Sequence, residues 1–227
     1  MIKKYIAISL IFSLFSFAGD EGIEYSGVMV KVKADKLEKN FLVKRNIPDV
    51  CKDVPINNKM LWTENYAHES VPEACKSTYV HTKGKLLSMQ LDEDLETYGE
   101  LEVLYFLKEM QHNKQMLLID SRKKKWFEYR TIPGAINMPF QYFAERDDYT
   151  FHFEYALLYL GVHTQKDGEY DFSNAKTLVL FCNGPWCDQS PRMIFALLKI
   201  GYPSEKLKWY RGGMQDWLGA GLTTTRK

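Results

Sequence analysis

The sequence predicts an α/β domain of three layers on a mainly parallel sheet, preceded by an N-terminal extension. Short apolar runs at Met116–Asp120, Thr177–Cys182 and Leu207–Tyr210 read as buried parallel strands. Segments of helical periodicity stand between them, and Gly161 and Gly201 mark helix ends. From Thr97 onward strand and helix alternate at the spacing of a parallel sheet with helical crossovers.

The elements follow in order. Residues 1–18 carry Lys3 and Lys4, then an uncharged apolar stretch from Tyr5 to Phe17, then Ser16-Phe17-Ala18 with small residues where a signal peptidase cuts. The stretch is shorter than the roughly 20 apolar residues of a spanning helix, and Gly19-Asp20-Glu21 ends it. Residues 19–96 form the extension. Within it Tyr25 to Lys33 alternates as a strand, with Val28, Val30 and Val32 on one face. Residues 34–77 are polar and loop-like, and Val80 to Leu91 suggests a strand or hairpin about Lys83-Gly84-Lys85. The main domain, residues 97–222, opens with a capping-box spacing at Thr97-Tyr-Gly-Glu100, followed by an apolar stripe from Leu101, Leu104 and Tyr105. Strand Met116–Asp120 comes next, then helix Tyr155–Leu160, then strand Thr177–Cys182. Ser190 is placed as the N-cap of helix Pro191–Ile200. Strand Leu207–Tyr210 and a terminal helix, Met214–Leu218, complete it.

Charge narrows the partners. The whole chain carries +1, and removal of residues 1–18 would leave 28 basic against 29 acidic residues. Such a balance gives no electrostatic case for nucleic acid or an anionic membrane. An exported chain meets an oxidising compartment, where an even number of cysteines favours pairing. Cys51 and Cys75 sit in polar, proline-containing segments and are expected to form a structural disulfide. No CxxC, CxxCH or Cys/His quartet is present, and the five histidines show no ligand spacing, so neither a metal nor a haem is expected.

The chemistry is expected in Phe181-Cys-Asn-Gly-Pro-Trp-Cys-Asp-Gln-Ser190. Cys182 ends a strand, a tight loop follows, and a helix begins. Loop amides and a helix N-terminus lower a thiol pKa and stabilise thiolate or persulfide. Asn183, Gly184 and Pro185 suggest an exposed loop, and Trp186, Asp188 and Gln189 complete the candidate substrate-binding stretch with Ser190. Cys187 reads in two ways: a thiol that resolves a persulfide or sulfenate on Cys182, or half of a disulfide that pins the loop. Residues 183–189 hold no Lys or Arg and Asp188 adds a negative charge, so Arg122, Arg192 and Arg211 are the candidate cations for an anionic donor.

Three motifs resemble the rhodanese-like sulfurtransferase family over about residues 97–222. They are Leu118-Ile-Asp-Ser-Arg122 with Ile132-Pro-Gly-Ala-Ile-Asn-Met-Pro139, then Phe181-Cys-Asn-Gly184, then Tyr210-Arg-Gly-Gly-Met-Gln-Asp-Trp217. Thr131 stands where that family usually has a histidine. The resemblance implies a rhodanese-like three-layer fold and a Cys182 that cycles between thiolate and persulfide, handing sulfane sulfur to a thiol or cyanide. Its expected partners are a small sulfur donor, a thiol acceptor and a periplasmic redox protein, with no dissociable cofactor and no stable membrane insertion after signal cleavage. The location expected is periplasmic or secreted. Two other readings stand beside this one: a thiol–disulfide redox protein using Cys182 and Cys187, and a non-catalytic rhodanese-like binding module.

Overall fold

The computed structural model describes residues 26–34, 37–44, 48–51, 69, 71–78 and 87–226. The signal-peptide reading of residues 1–18 and the hairpin reading about Lys83-Gly84-Lys85 lie outside these residues.

In the extension, β1 (Val28–Ala34) pairs antiparallel with β2 (Leu37–Val43). Val28, Val30 and Val32 face inward as the alternation requires, and with Val43 they pack on the main domain. β2 corrects the loop reading of residues 34–77. Its Glu38, Lys39 and Asn40 are exposed, so it lacks the apolar signature of a strand and is held by backbone pairing and Val43. Two short 3-10 turns, Asp49–Cys51 and Glu73–Thr78, carry the expected disulfide between Cys51 and Cys75, with Cα atoms 5.6 Å apart. Both half-cystines are buried, and the second turn packs on the C-terminal helix. The bridge spans 24 residues. Its removal by a Cys51→Ser/Cys75→Ser substitution is expected to lower stability by about 3 kcal/mol, read as a fall in the urea midpoint.

The main sheet contains β3 (Glu96–Tyr98), β4 (Met116–Asp120), β5 (Ile136–Asn137), β8 (Thr177–Phe181) and β9 (Leu207–Tyr210), all parallel, in the order β3-β9-β8-β4-β5. A second small hairpin joins β6 (His163–Thr164) to β7 (Tyr170–Asp171). The helices are α1 (Glu100–Met110), α2 (Lys124–Tyr129), α3 (Gln141–Ala144), α4 (Thr150–Tyr159), α5 (Gln189–Lys199) and α6 (Gly213–Gly219). Lys123, Lys124 and Lys125 are solvated at the start of α2. Among the described residues no helix is long and apolar enough to cross a membrane.

Strand alternation sorts the core. Leu118, Val179, Phe181 and Tyr210 turn toward α1, α6 and the β1–β2 hairpin. Ile119, Leu178, Leu180, Leu207 and Trp209 turn toward α4 and α5. Both faces of the sheet are thereby covered, which is why the central strands read as continuous apolar runs. The helix boundaries differ from expectation at several starts: α4 begins at Thr150, five residues before the expected Tyr155, and α6 at Gly213, one before Met214. α1 is capped at Gly99, whose N–H donates to Glu102 Oε2 at 2.9 Å, while Thr97 lies in β3 and its hydroxyl donates to the Met89 carbonyl. α5 begins at Gln189 with Asp188 at the cap position and no side-chain cap. Ser190 is not the N-cap, because its hydroxyl is engaged by Cys182 and Trp209.

Candidate active site

β4 and β8 are neighbours from which the chain departs in opposite directions, β4 toward β5 and β8 toward β9. A crevice at the carboxyl ends of such strands is the usual ligand site of an open parallel sheet. Cys182 follows β8 at that point, and Ser121 and Arg122 follow β4 beside it.

The loop after Cys182 is folded inward, contrary to the exposed loop expected. Asn183 is 4% exposed and Gly184 is buried, while Pro185 and Trp186 are half-buried. Four hydrogen bonds seal it. The Cys182 and Asn183 carbonyls accept from the N–H groups of Met214 (3.0 Å) and Gln215 (2.8 Å) at the start of α6. The Pro185 carbonyl accepts from the Leu87 N–H at 2.7 Å, and Arg211 donates to the carbonyls of Leu87 and Ser88. Trp186 Nε1 donates to Gln215 Oε1 at 2.6 Å. Two glycines permit this closeness. A Cβ on Gly213, whose φ is +54°, would stand 2.5 Å from the Cys182 carbonyl oxygen, and one on Gly184 would stand 2.7 Å from Trp186 Nε1.

A buried polar frame holds the other side. Asp120 accepts from the Arg122 guanidinium at 2.6 and 2.8 Å and from the Thr131 hydroxyl at 2.8 Å. Arg122 Nη1 then donates to Asn183 Oδ1 at 3.1 Å, and Nη2 to the Arg130 carbonyl. Asp120 and Arg122 are 0% and 2% exposed. The other two candidate cations are committed as well. Arg192 pairs with Glu145 at 2.7 Å and lies over the Phe140 ring, and Arg211 holds the Leu87–Ser88 segment described above. Arg122 is thus the one of the three that meets the loop, and it does so through Asn183. Sequence reasoning did not single out Asp120, Thr131, Gln215 or Leu87 as site supports. The Asp-x-Arg spacing at a strand end was the available signal for the first.

Cys182 and Cys187 are both buried and carry free thiols in this structure, with no bond between them. Ser190 Oγ donates to Cys182 Sγ at 3.1 Å and itself accepts from Trp209 Nε1 at 3.1 Å. The Cys187 carbonyl lies 3.1 Å from the same sulfur and accepts from its thiol form. Burial alone would push the Cys182 thiol up. The Cys187 thiol, the Ser190 hydroxyl and the Ser190 and Gly184 amides outweigh it and bring the value down to about 7. Cys187 moves the other way. Its proton is held first by the hydrogen bond to Cys182, then by burial and by the Cys182 charge. Asp188, the acidic neighbour of Cys187, is exposed and is not among the causes of this shift.

The direction of the Cys182 shift fixes a pH profile. Below the midpoint the sulfur is a thiol, and above it the reactive thiolate. Alkylation of Cys182 by a small reagent is therefore expected to rise through a midpoint near pH 7, lower than the value of about 8.5 for an ordinary thiol. Ser190→Ala should move the midpoint upward. Mass-resolved alkylation over a pH series measures both, and an ordinary midpoint in the unaltered chain would contradict the geometry. Among the described residues no group of three His, Cys, Asp or Glu is placed to hold a metal ion.

Comparison with known proteins bears on this arrangement. Among curated proteins, none matches the chain. Three solved structures of similar fold illustrate the relationship. A Bacillus halodurans protein is 15% identical, with a TM-score of 0.41, over 58% of this chain and 77% of its own. A rhodanese with anions from E. coli is 19% identical, with a TM-score of 0.31, over 49% of this chain and 99% of its own. A thiosulfate sulfurtransferase from Pseudomonas aeruginosa is 18% identical, with a TM-score of 0.39, over 61% of this chain and 21% of its own. A family match covers residues 104–220, the span that holds the β4 and β8 ends, the Cys182 loop and the α6 N-terminus, and by it the chain belongs to the rhodanese-like domain family.

Proposed function

We propose that the chain is a sulfurtransferase that carries sulfane sulfur on Cys182. The observation that supports this most is a cysteine at the carboxyl end of β8 whose sulfur receives hydrogen bonds from Ser190 and the loop. The Cys182 thiolate attacks the outer sulfur of a donor, the donor's S–S bond breaks, and the donor leaves as a thiolate or sulfite. Cys182 is left as a persulfide. An acceptor thiolate or cyanide then takes the outer sulfur and returns the Cys182 thiolate. The amides and hydroxyl that stabilise the thiolate stabilise the transferred charge as well. An uncharged or singly charged donor, such as a persulfide, suits the loop better than a dianion, because 183–189 contain no cation and Arg192 and Arg211 are committed elsewhere. The disulfide between Cys51 and Cys75 supports an oxidising location, periplasmic or extracellular.

The test is intact mass after incubation of the reduced chain with a low-molecular-weight persulfide, polysulfide or thiosulfate. Gain of one sulfur atom mapped to Cys182, captured by alkylation at the earliest times after mixing and before any onward transfer, is the expected result. A folded chain whose mass never changes would favour a binding module instead.

A further inference from the structure

We infer that Cys187 is the resolving thiol of this site, so that the chain reduces sulfane sulfur to hydrosulfide and closes a Cys182–Cys187 disulfide. This rests on the persulfide reading above and adds an activity to it. The loop brings the two residues together. The Cys187 N–H donates to the Gly184 carbonyl at 2.9 Å, which turns the chain back over Cys182. The Cys187 carbonyl stands 3.1 Å from Cys182 Sγ, and the Cys187 thiol is near enough to lower the pKa of that sulfur. Cys182 is 2% exposed and Cys187 5%. An external acceptor has to reach that sulfur through the sealed loop, whereas Cys187 already touches it. An intramolecular thiol so placed acts at a high effective concentration.

The two thiols have different tasks. Cys182 is the thiolate that meets the donor, while Cys187 keeps its proton. After transfer the negative charge sits on the outer sulfur of the persulfide. Cys187 gives that sulfur its proton, and the Cys187 thiolate attacks Cys182 Sγ. The inner–outer S–S bond breaks, a Cys182–Cys187 bond forms, and hydrosulfide leaves. The outer sulfur is reduced by two electrons, and the two cysteine sulfurs together lose two. The disulfide returns to the dithiol by exchange with an external dithiol, which is oxidised in its place.

Single turnover with one equivalent of glutathione persulfide tests this on the full reduced chain. Released hydrosulfide is measured, and the chain is mapped without reduction. The unaltered chain is expected to release hydrosulfide stoichiometrically and to carry a Cys182–Cys187 bridge that dithiothreitol reopens. Cys187→Ala and the more conservative Cys187→Ser should keep the sulfur on Cys182, with loss of hydrosulfide release. Equal release from the unaltered chain and from both folded variants would overturn the resolving role and leave the persulfide reading intact. A stable persulfide in the unaltered chain would do the same. Folded Cys187 variants that take up no sulfur at all would overturn both.

Discussion

A Cys182→Ser chain is expected to take up no sulfur from any sulfane donor while keeping its fold. The substitution removes the only thiol of the site that is ionised near neutral pH. The serine hydroxyl keeps partners of the same kind, with the Cys187 carbonyl as acceptor and Ser190 beside it. The cost in stability should therefore stay near the roughly 1 kcal/mol of a single hydrogen bond. Cys187 does not substitute for the lost thiolate. In the variant two of the influences that hold its proton disappear, namely the bond to the Cys182 sulfur and that sulfur's charge. Its pKa falls, while burial continues to oppose its ionisation. Intact mass after donor treatment, with an unfolding curve beside it, measures the outcome. Sulfur loading equal to that of the unaltered chain would remove Cys182 from its proposed role.

The second large effect concerns Asp120. Asp120→Asn keeps the shape of the side chain and deletes its charge, which leaves the Arg122 guanidinium buried without a counter-ion. Breaking a buried ion pair from one side typically costs about 3–5 kcal/mol. Asn183 should lose its fixed donor at the same time, because the bond to it comes from the same guanidinium. Denaturant unfolding measures the first effect and the rate of sulfur uptake the second. A paired Asp120→Leu/Arg122→Met chain separates charge from packing. It should recover much of the stability, since no buried charge remains, without recovering the uptake rate. Equal destabilisation of the single and paired variants would show that packing, not the stranded charge, sets the cost.

How much of this could be read from the residues depends on where the determining contacts lie. β4 and β8 were legible because strands covered on both faces spell themselves as nearly continuous apolar runs, and β9 was legible from Leu207, Trp209 and Tyr210 although Lys208 interrupts it. β3 and β5, with three and two residues, are too short to carry a pattern. β2 is a strand by virtue of its pairing with β1 and of Val43, which packs on the main domain. Within the site, Cys182 and its position at a strand end were legible locally. The inward fold of the loop was not, since Leu87, Gln215 and Arg122 cover or anchor it from far along the chain. Ser190 shows the same limit at the scale of one side chain. Its residue type suits a helix cap, but a sulfur and an indole N–H within reach claim its hydroxyl. The arginines were counted correctly as charges, while their existing partners belong to tertiary structure.

The alternation along β8 has a consequence for how this domain can change over evolutionary time. Val179 and Phe181 point to one side of the sheet, Leu178 and Leu180 to the other, and Cys182 continues the second set toward Ser190 and Trp209. Exchange of one apolar residue for another along β8 disturbs packing but leaves the sulfur on its side. Insertion or loss of a single residue reverses every side chain beyond it, turning the sulfur toward α1 and α6 and away from its hydroxyl donor. The strand therefore has wide freedom in composition and almost none in length. Descendants of this chain can drift in the letters before Cys182 far more readily than in their number.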